Sequence, residues 1–215
     1  MGKRNEIKIG IVMVDNTEQL KKLMDFSDDK KFYYLQLLAR SKDGHNKATK
    51  VVKNYFIQNE EYFDSHEQQI KDLCMAFKAR AYLRLNRRSY KDVAFENLET
   101  IAKLIRYGQF EAVMSSFSKS CGRTNAETSK IWVVDIDDDF VGLSTKETIR
   151  MVVSYIEELQ SEIKEDYKVL DVVRTVNGHH ILTNPFRLDK FSEHFPTLSK
   201  DDVKKDNPTI LYANV

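Results

Sequence analysis

Cysteine, proline and glycine are all scarce in this chain of 215 residues, which holds two, three and seven of them. Cys74 and Cys121 are too few for a disulfide framework, and without a CxxC pair or a Cys/His cluster the chain has no zinc-finger pattern. The three prolines, Pro185, Pro196 and Pro208, all lie near the C-terminal end, which marks that end as the loop-rich part. No apolar run approaches the ~20 residues of a membrane span, and the first residues lack the apolar core of a signal peptide. Position 6 is Glu rather than Ser or Thr, so Gly2 does not read as a myristoylation site. Charge of one sign is also missing: the net charge is only +1, so any basic surface for nucleic acid must be local. A reduced, cytoplasmic setting is the expectation.

What is present is the composition of a globular chain, 41% hydrophobic and 31% charged, long enough for one domain or two tightly packed halves. After an apolar segment at 7–14, residues 17–26 read as a helix, 32–40 as an aromatic-rich strand, 41–50 as a polar loop and 51–57 as a second strand. A helix over 66–78 precedes the alternating strand 79–85. Ser89 then reads as the cap of a long helix with further turns to about Phe117, followed by a polar, irregular 118–130. In the second half, an apolar strand ends in acids. Ser144 and Glu147 form a capping box for a helix carrying Ile149, Val152, Val153, Ile156, Leu159 and Ile163. Residues 168–174 and 179–183 then read as strands around an Asn177-Gly178 turn. The expected fold is α/β (α+β) in two packed halves, 1–130 with a basic strand and 131–215 with a β-α-β-β sheet.

The chemistry concentrates in two stretches. In Ile131-Trp132-Val133-Val134-Asp135-Ile136-Asp137 the apolar run implies a buried strand. Alternation then puts Asp135 and Asp137 on one face, roughly 6.5–7 Å apart. Two carboxylates so placed can hold hard divalent cations. Asp138 and Asp139 extend the tract toward solvent, and the bland alternative is a strand that simply ends in a solvated acidic turn. In Thr175-Val176-Asn177-Gly178-His179-His180-Ile181-Leu182 the two histidines point to opposite faces, so one at most joins a site. Arg174, Thr175 and Asn177 beside them are all able to bind phosphate oxygens. Arg80, Tyr82 and Arg84 share a strand face, with Arg87 and Arg88 beyond, a local basic patch suited to a nucleic-acid backbone or to ordinary surface ion pairs. The loop 118–125 carries Lys119 and Arg123 directly before the acidic strand but matches no phosphate-loop pattern. Lys42-Asp43-Gly44 lacks the intervening residue of the ligase Lys-x-Asp-Gly motif.

A strand ending in Asp-hydrophobic-Asp, a helix, and then a hairpin with histidine resembles the archaeo-eukaryotic primase superfamily. The likeness is to its primase-polymerase branch of phages, plasmids and bacterial repair ligases. The first motif is Val133-Val134-Asp135-Ile136-Asp137; the second is 175–182, with His180 in the histidine position because an apolar pair follows it. The resemblance spans about residues 131–183. It implies two α/β halves, the second with an RNA-recognition-type sheet and the active site between them. It also implies Mg²⁺ or Mn²⁺ on Asp135 and Asp137, and His180 at the incoming nucleotide's phosphates. Arg123, Arg174, Thr175 and Asn177 become candidate nucleotide-binding residues; Arg80, Arg84, Arg87 and Arg88 become candidate nucleic-acid-binding residues. The implied partners are nucleoside triphosphates, nucleic acid and replication proteins, in the host cytoplasm if the chain is phage-encoded. The family's third acid, on a later strand after an apolar residue, has no clear counterpart: Leu188-Asp189 sits in a helical pattern and Asp206 precedes the last strand. The leading expectation is a divergent nucleotidyltransferase. The alternatives are a metal-dependent nuclease or phosphoesterase using the same residues, and a non-catalytic nucleic-acid-binding replication accessory protein.

Overall fold

Two antiparallel sheets, each with helices of its own, organise the chain. The computed structural model describes residues 12–43, 47–125, 127–128, 130–138, 144–159, 168–198 and 202–215. The first sheet has five strands, β1 (Met13–Asp15), β2 (Lys31–Ala39), β3 (Lys50–Ile57), β4 (Arg80–Ser89) and β9 (Thr209–Asn214), in the order β1-β9-β4-β2-β3. The second contains β5 (Trp132–Asp137), β6 (Val169–Arg174), β7 (Gly178–Thr183) and the short β8 (Val203–Lys204), in the order β6-β7-β5-β8. The fold is α+β.

Helix starts follow local chemistry. Asn59 accepts from the Tyr62 amide to open α2 (Glu60–Phe77), two residues after β3 ends, and Lys78 ends α2 in the left-handed region at φ 46°. Ser89 caps α3 (Tyr90–Arg106), and Ser144 with Glu147 forms the full reciprocal capping box of α5 (Thr145–Glu158). Helix α1 (Thr17–Lys21) stops well short of residue 26. Tyr33 reaches back to accept from the Asp25 amide at 2.6 Å, holding that segment off the helix path. After Gly108, at φ 67°, the chain tightens into a 3-10 turn (Phe110–Ser115). Residues 118–123, expected to be irregular, belong to α4 (Ser116–Arg123). Ser116, Ser120 and Thr124 hide their hydroxyls by donating to carbonyls three or four residues back, so a polar sequence makes a buried helix. The apolar segment at 7–11 and Ile163 lie outside the described residues.

The second sheet is a split β-α-β unit. Helix α5 carries the chain from β5 to β6 while β7 lies between them, and α6 (Leu188–His194) leads on toward β8. Alternation divides its two faces. Trp132, Val134, Ile136 and Ile181 pack with Val152 and Ile156 of α5 and Phe191 of α6. Val133, Val173 and Leu182 face the other way and join the core that includes Leu20, Tyr33, Leu83 and Leu211. The sheets therefore share a hydrophobic core, and the division at residue 130 is bridged by β9, which runs between β1 and β4 of the first sheet. Among the described residues no helix is long and apolar enough to cross a membrane.

Polar groups hold the two sheets in register. Buried Asn16 donates to the carbonyls of both Arg174 and Ile210, at 2.8 and 2.7 Å. Asn86 clamps the entry to β5, accepting from the Ile131 amide at 2.7 Å and donating to its carbonyl at 3.0 Å. Arg88 is fully buried. Its guanidinium donates to the carbonyls of Cys121 and Asn86 and reaches Asp206 at 2.9 Å, just ahead of β9. Truncating one member of such a pair strands the other charge, which costs about 3–5 kcal/mol. Arg88→Met and Asp206→Leu are each expected to destabilise on that scale in urea denaturation, and the double variant by clearly less than the sum. Additive losses would show that the pair is not coupled.

Candidate active site

The β5–β7 pairing builds the site. Its register sets Asp135 opposite His180 and Asp137 opposite Gly178. Because side chains alternate, Asp135, Asp137 and His180 emerge on the face shared with Val133 and Leu182, turned toward the first sheet and away from α5. They open onto a cleft of about 470 Å³. Its opposite wall is made by Leu38, Arg40, Arg80 and Tyr82, and Thr175, Asn177, Pro208 and Ile210 line the remainder. The site thus lies between the sheets, at the end of the shared core.

Gly178 is what allows the two strands to close at this point. A Cβ there would collide with the Ile136 carbonyl oxygen and sit 2.9 Å from the Asp137 Cα, both backbone atoms that cannot swing aside.

His180 is held from two sides. Its Nδ1 lies 2.8 Å from the Thr209 hydroxyl, and its Nε2 lies 3.4 Å from Asp135 Oδ1. Burial pushes the Asp135 carboxyl up. The hydrogen bond and charge of His180, with Lys204 and Arg40 nearby, outweigh burial and hold it below the usual carboxylate range. Asp135 is therefore an anion at neutral pH, ready to bind a cation. Across the cleft, Arg80 forms a bidentate ion pair with Asp43, both side chains buried, which neutralises its charge within the wall. Arg40 instead donates to the Tyr82 hydroxyl at 2.9 Å, and among the described residues no carboxylate lies within ion-pair distance of it.

The structure brings together Asp135, Asp137, His180, Thr175, Asn177 and Arg80, and leaves the other candidates elsewhere. Arg174 shares the opposite face with Val172 and lines a separate pocket with Lys146, Arg150 and His179, paired to Asp138 at 3.4 Å. Arg123 lies at the end of α4, paired with Glu96 of α3. Three of the four arginines of the basic patch lie away from the cleft lining and are engaged by internal partners. Arg84 donates to the Asp206 carbonyl, Arg87 bonds Glu127 and Asp25, and Arg88 is the buried partner of Asp206, so these guanidinia hold the fold together. Neither Asp189, paired with Arg187 on the surface, nor Asp206 reaches the cleft as a third acid. Among the described residues no group of three or more His, Cys, Asp or Glu side chains is arranged to hold a metal.

Arg40 and Thr209 went unread in the sequence. Arg40 ends an aromatic strand as an ordinary terminal cation, and Thr209 begins a strand some thirty positions after its histidine partner, so neither carries a local signal.

Two outcomes are expected. Gly178→Ala forces β5 and β7 apart and lowers stability in thermal denaturation by about 1–3 kcal/mol or more, as overpacking of a closed contact does; an unchanged melting temperature would show that the strands can part freely. Neutral His180 carries its proton on Nε2, donating to Asp135 while Nδ1 accepts from Thr209, which imidazole ¹⁵N shifts read directly. A proton on Nδ1 would mean that Asp135 receives no hydrogen bond from this ring.

No family model matches the chain, and no curated protein or solved structure matches it.

Proposed function

We propose that the protein is a divergent, divalent-metal-dependent nucleotidyltransferase of the primase-polymerase type, acting on nucleic acid. The observation that carries this reading is the convergence of Asp135, Asp137 and His180 in one cleft between the sheets, with Arg40 across from them.

The residues fit the metal the reading requires. Mg²⁺ and Mn²⁺ are commonly held by one or two carboxylates together with substrate phosphates and water, rather than by an all-protein cage. Asp135 and Asp137 are such a pair, one of them kept ionised by its surroundings. When bound there, the cation supplies Lewis-acid stabilisation of charge developing on a transferring phosphoryl group. The chain's own groups do the rest. His180, fixed by Thr209, presents Nε2 beside Asp135, where it can donate to a phosphate oxygen. Arg40 brings a cation with no carboxylate partner among the described residues to the facing wall, suited to triphosphate oxygens. The Thr175 and Asn177 side chains add polar contacts at the cleft mouth. Arg84, Arg87 and Arg88 take no part, being spent on internal ion pairs.

The test is nucleotide incorporation on a primed template with Mn²⁺. Asp135→Asn and Asp137→Asn are expected to lower incorporation by about 100-fold or more, the scale of losing a group that stabilises transition-state charge. Their folds should persist, because asparagine keeps the shape of the side chain it replaces and both positions are solvent-accessible at the cleft. Mn²⁺ with a nucleoside triphosphate should raise the melting temperature of the parent protein and leave that of either variant unmoved. Cleavage of duplex without nucleotide, abolished by the same substitutions, would assign the site to a nuclease instead. Nucleic-acid binding indifferent to both metal and the aspartates would assign the chain to a non-catalytic role.

A further inference from the structure

Arg174 and His179, the members of the hairpin motif that the cleft leaves out, meet on the far side of the same hairpin. Successive residues of a strand face opposite ways. Thr175 and His180 therefore line the cleft, while Arg174 and His179, partners in the β6–β7 register, face α5. There they line a pocket of about 560 Å³ with Lys146 and Arg150 from the first two turns of α5. A depression over the end of the hairpin shares Asp137 and Asn177 with the cleft and Asp138 with this pocket, so the two sites adjoin.

Positive charge is in excess in the pocket. Among the described residues Asp138 is the one carboxylate of its lining, and it pairs with Arg174 at 3.4 Å. Glu147, next to Lys146 in the chain, is turned back into the capping box, where its carboxylate accepts from the Ser144 amide and hydroxyl. Lys146 and Arg150 have no carboxylate within ion-pair distance among the described residues. They stand four apart on one helix, a like-charge spacing that weakens a helix rather than supporting it. The positive end of the α5 dipole adds to the same sign. The field is felt at His179, where burial and then the Arg174 charge lower the proton affinity although Asp138 stands 3.9 Å away. What remains unbalanced is the charge of one lysine and one arginine. A phosphate group matches it, being a multiply charged oxyanion whose several oxygens can accept from an ammonium and a guanidinium fork together.

We propose that this pocket is a phosphate-binding site, which takes either the backbone phosphates of a nucleic-acid strand passing over the hairpin end or free phosphate in the form of pyrophosphate. It requires no metal and so does not rest on the chemistry assigned to the cleft.

Both sources are tested in EDTA. One probe is a single-stranded DNA oligonucleotide, followed by fluorescence anisotropy over a salt series. The other is sodium pyrophosphate, followed by the backbone amide NMR shifts of Thr145 and Arg174. The double variant Lys146→Ala/Arg150→Ala is expected to bind the oligonucleotide about tenfold more weakly or worse, as loss of charged hydrogen bonds does. Its salt dependence should flatten by about 0.7 for each lost phosphate contact. Both side chains are exposed, so its melting temperature should not fall. Lys103→Ala, at an exposed lysine paired with Glu99 on α3, is the control and should bind like the parent. Pyrophosphate should shift both amides in the parent protein and neither in the double variant. Weakened oligonucleotide binding assigns the pocket to strand phosphates, and lost pyrophosphate shifts without it assign the pocket to free phosphate. Oligonucleotide binding as strong in the double variant as in Lys103→Ala, with no pyrophosphate shift that depends on Lys146 and Arg150, overturns the proposal. Nucleotide incorporation enters neither measurement, so the reading of the cleft and that of the pocket fail separately.

Discussion

The buried pairing of Arg88 with Asp206 is the constraint on which the rest of the molecule depends. Arg88 extends from β4 of the first sheet, and Asp206 lies where the chain leaves the second sheet. A fully buried guanidinium is stable only when its donors are satisfied, and here two backbone carbonyls and a carboxylate satisfy them. Asn86, two residues earlier on the same strand, fixes the entry to β5 and also reaches Asp206 at 3.2 Å. Both ends of the second half are thereby tied to one short stretch of β4, and the last strand is delivered between β1 and β4.

That delivery is what completes the cleft. Thr209 is the first residue of β9, and its hydroxyl sets the orientation of His180 on a strand of the other sheet. Pro208 and Ile210, on either side of it, form part of the cleft wall. The site therefore depends on the relative position of two sheets, and polar clamps at Asn16, Asn86 and Arg88 hold that position more specifically than the shared apolar core could, since apolar contact is not directional.

The electrostatic design of the cleft is a division of labour among similar groups. Of the two arginines on the first-sheet wall, Arg80 is matched by Asp43 and acts as structure, while Arg40 keeps its charge turned toward Asp135. Of the two histidines on β7, His180 joins the cleft. His179 faces Arg174 and Asp138 on the far side, where burial and then the Arg174 charge lower its affinity for a proton. In each pair, neighbours in three dimensions decide the role, and residue type alone does not.

Much of this was legible in the sequence where the signal was local. The apolar run before Asp135 determined a buried strand, the period of two determined that Asp135 and Asp137 share a face, and the Asn177-Gly178 turn with the Ser144–Glu147 capping box determined the hairpin and helix around them. These features rest on backbone geometry and on hydrogen bonds spanning a few residues. Only the tertiary structure decided that residues 118–123 are helical, because Cys121 packs against Phe32, Tyr34 and Val93 and its carbonyl accepts from buried Arg88, and that Phe95, Leu98 and Ile105 of α3 face solvent. It alone decided the fate of the arginines: a strand rich in Arg reads the same whether its partners are phosphates or the carboxylate of Asp206, more than a hundred positions away. Alternation along a strand is inherited from the chain itself, whereas the partner of a charge is chosen by the packing of distant segments.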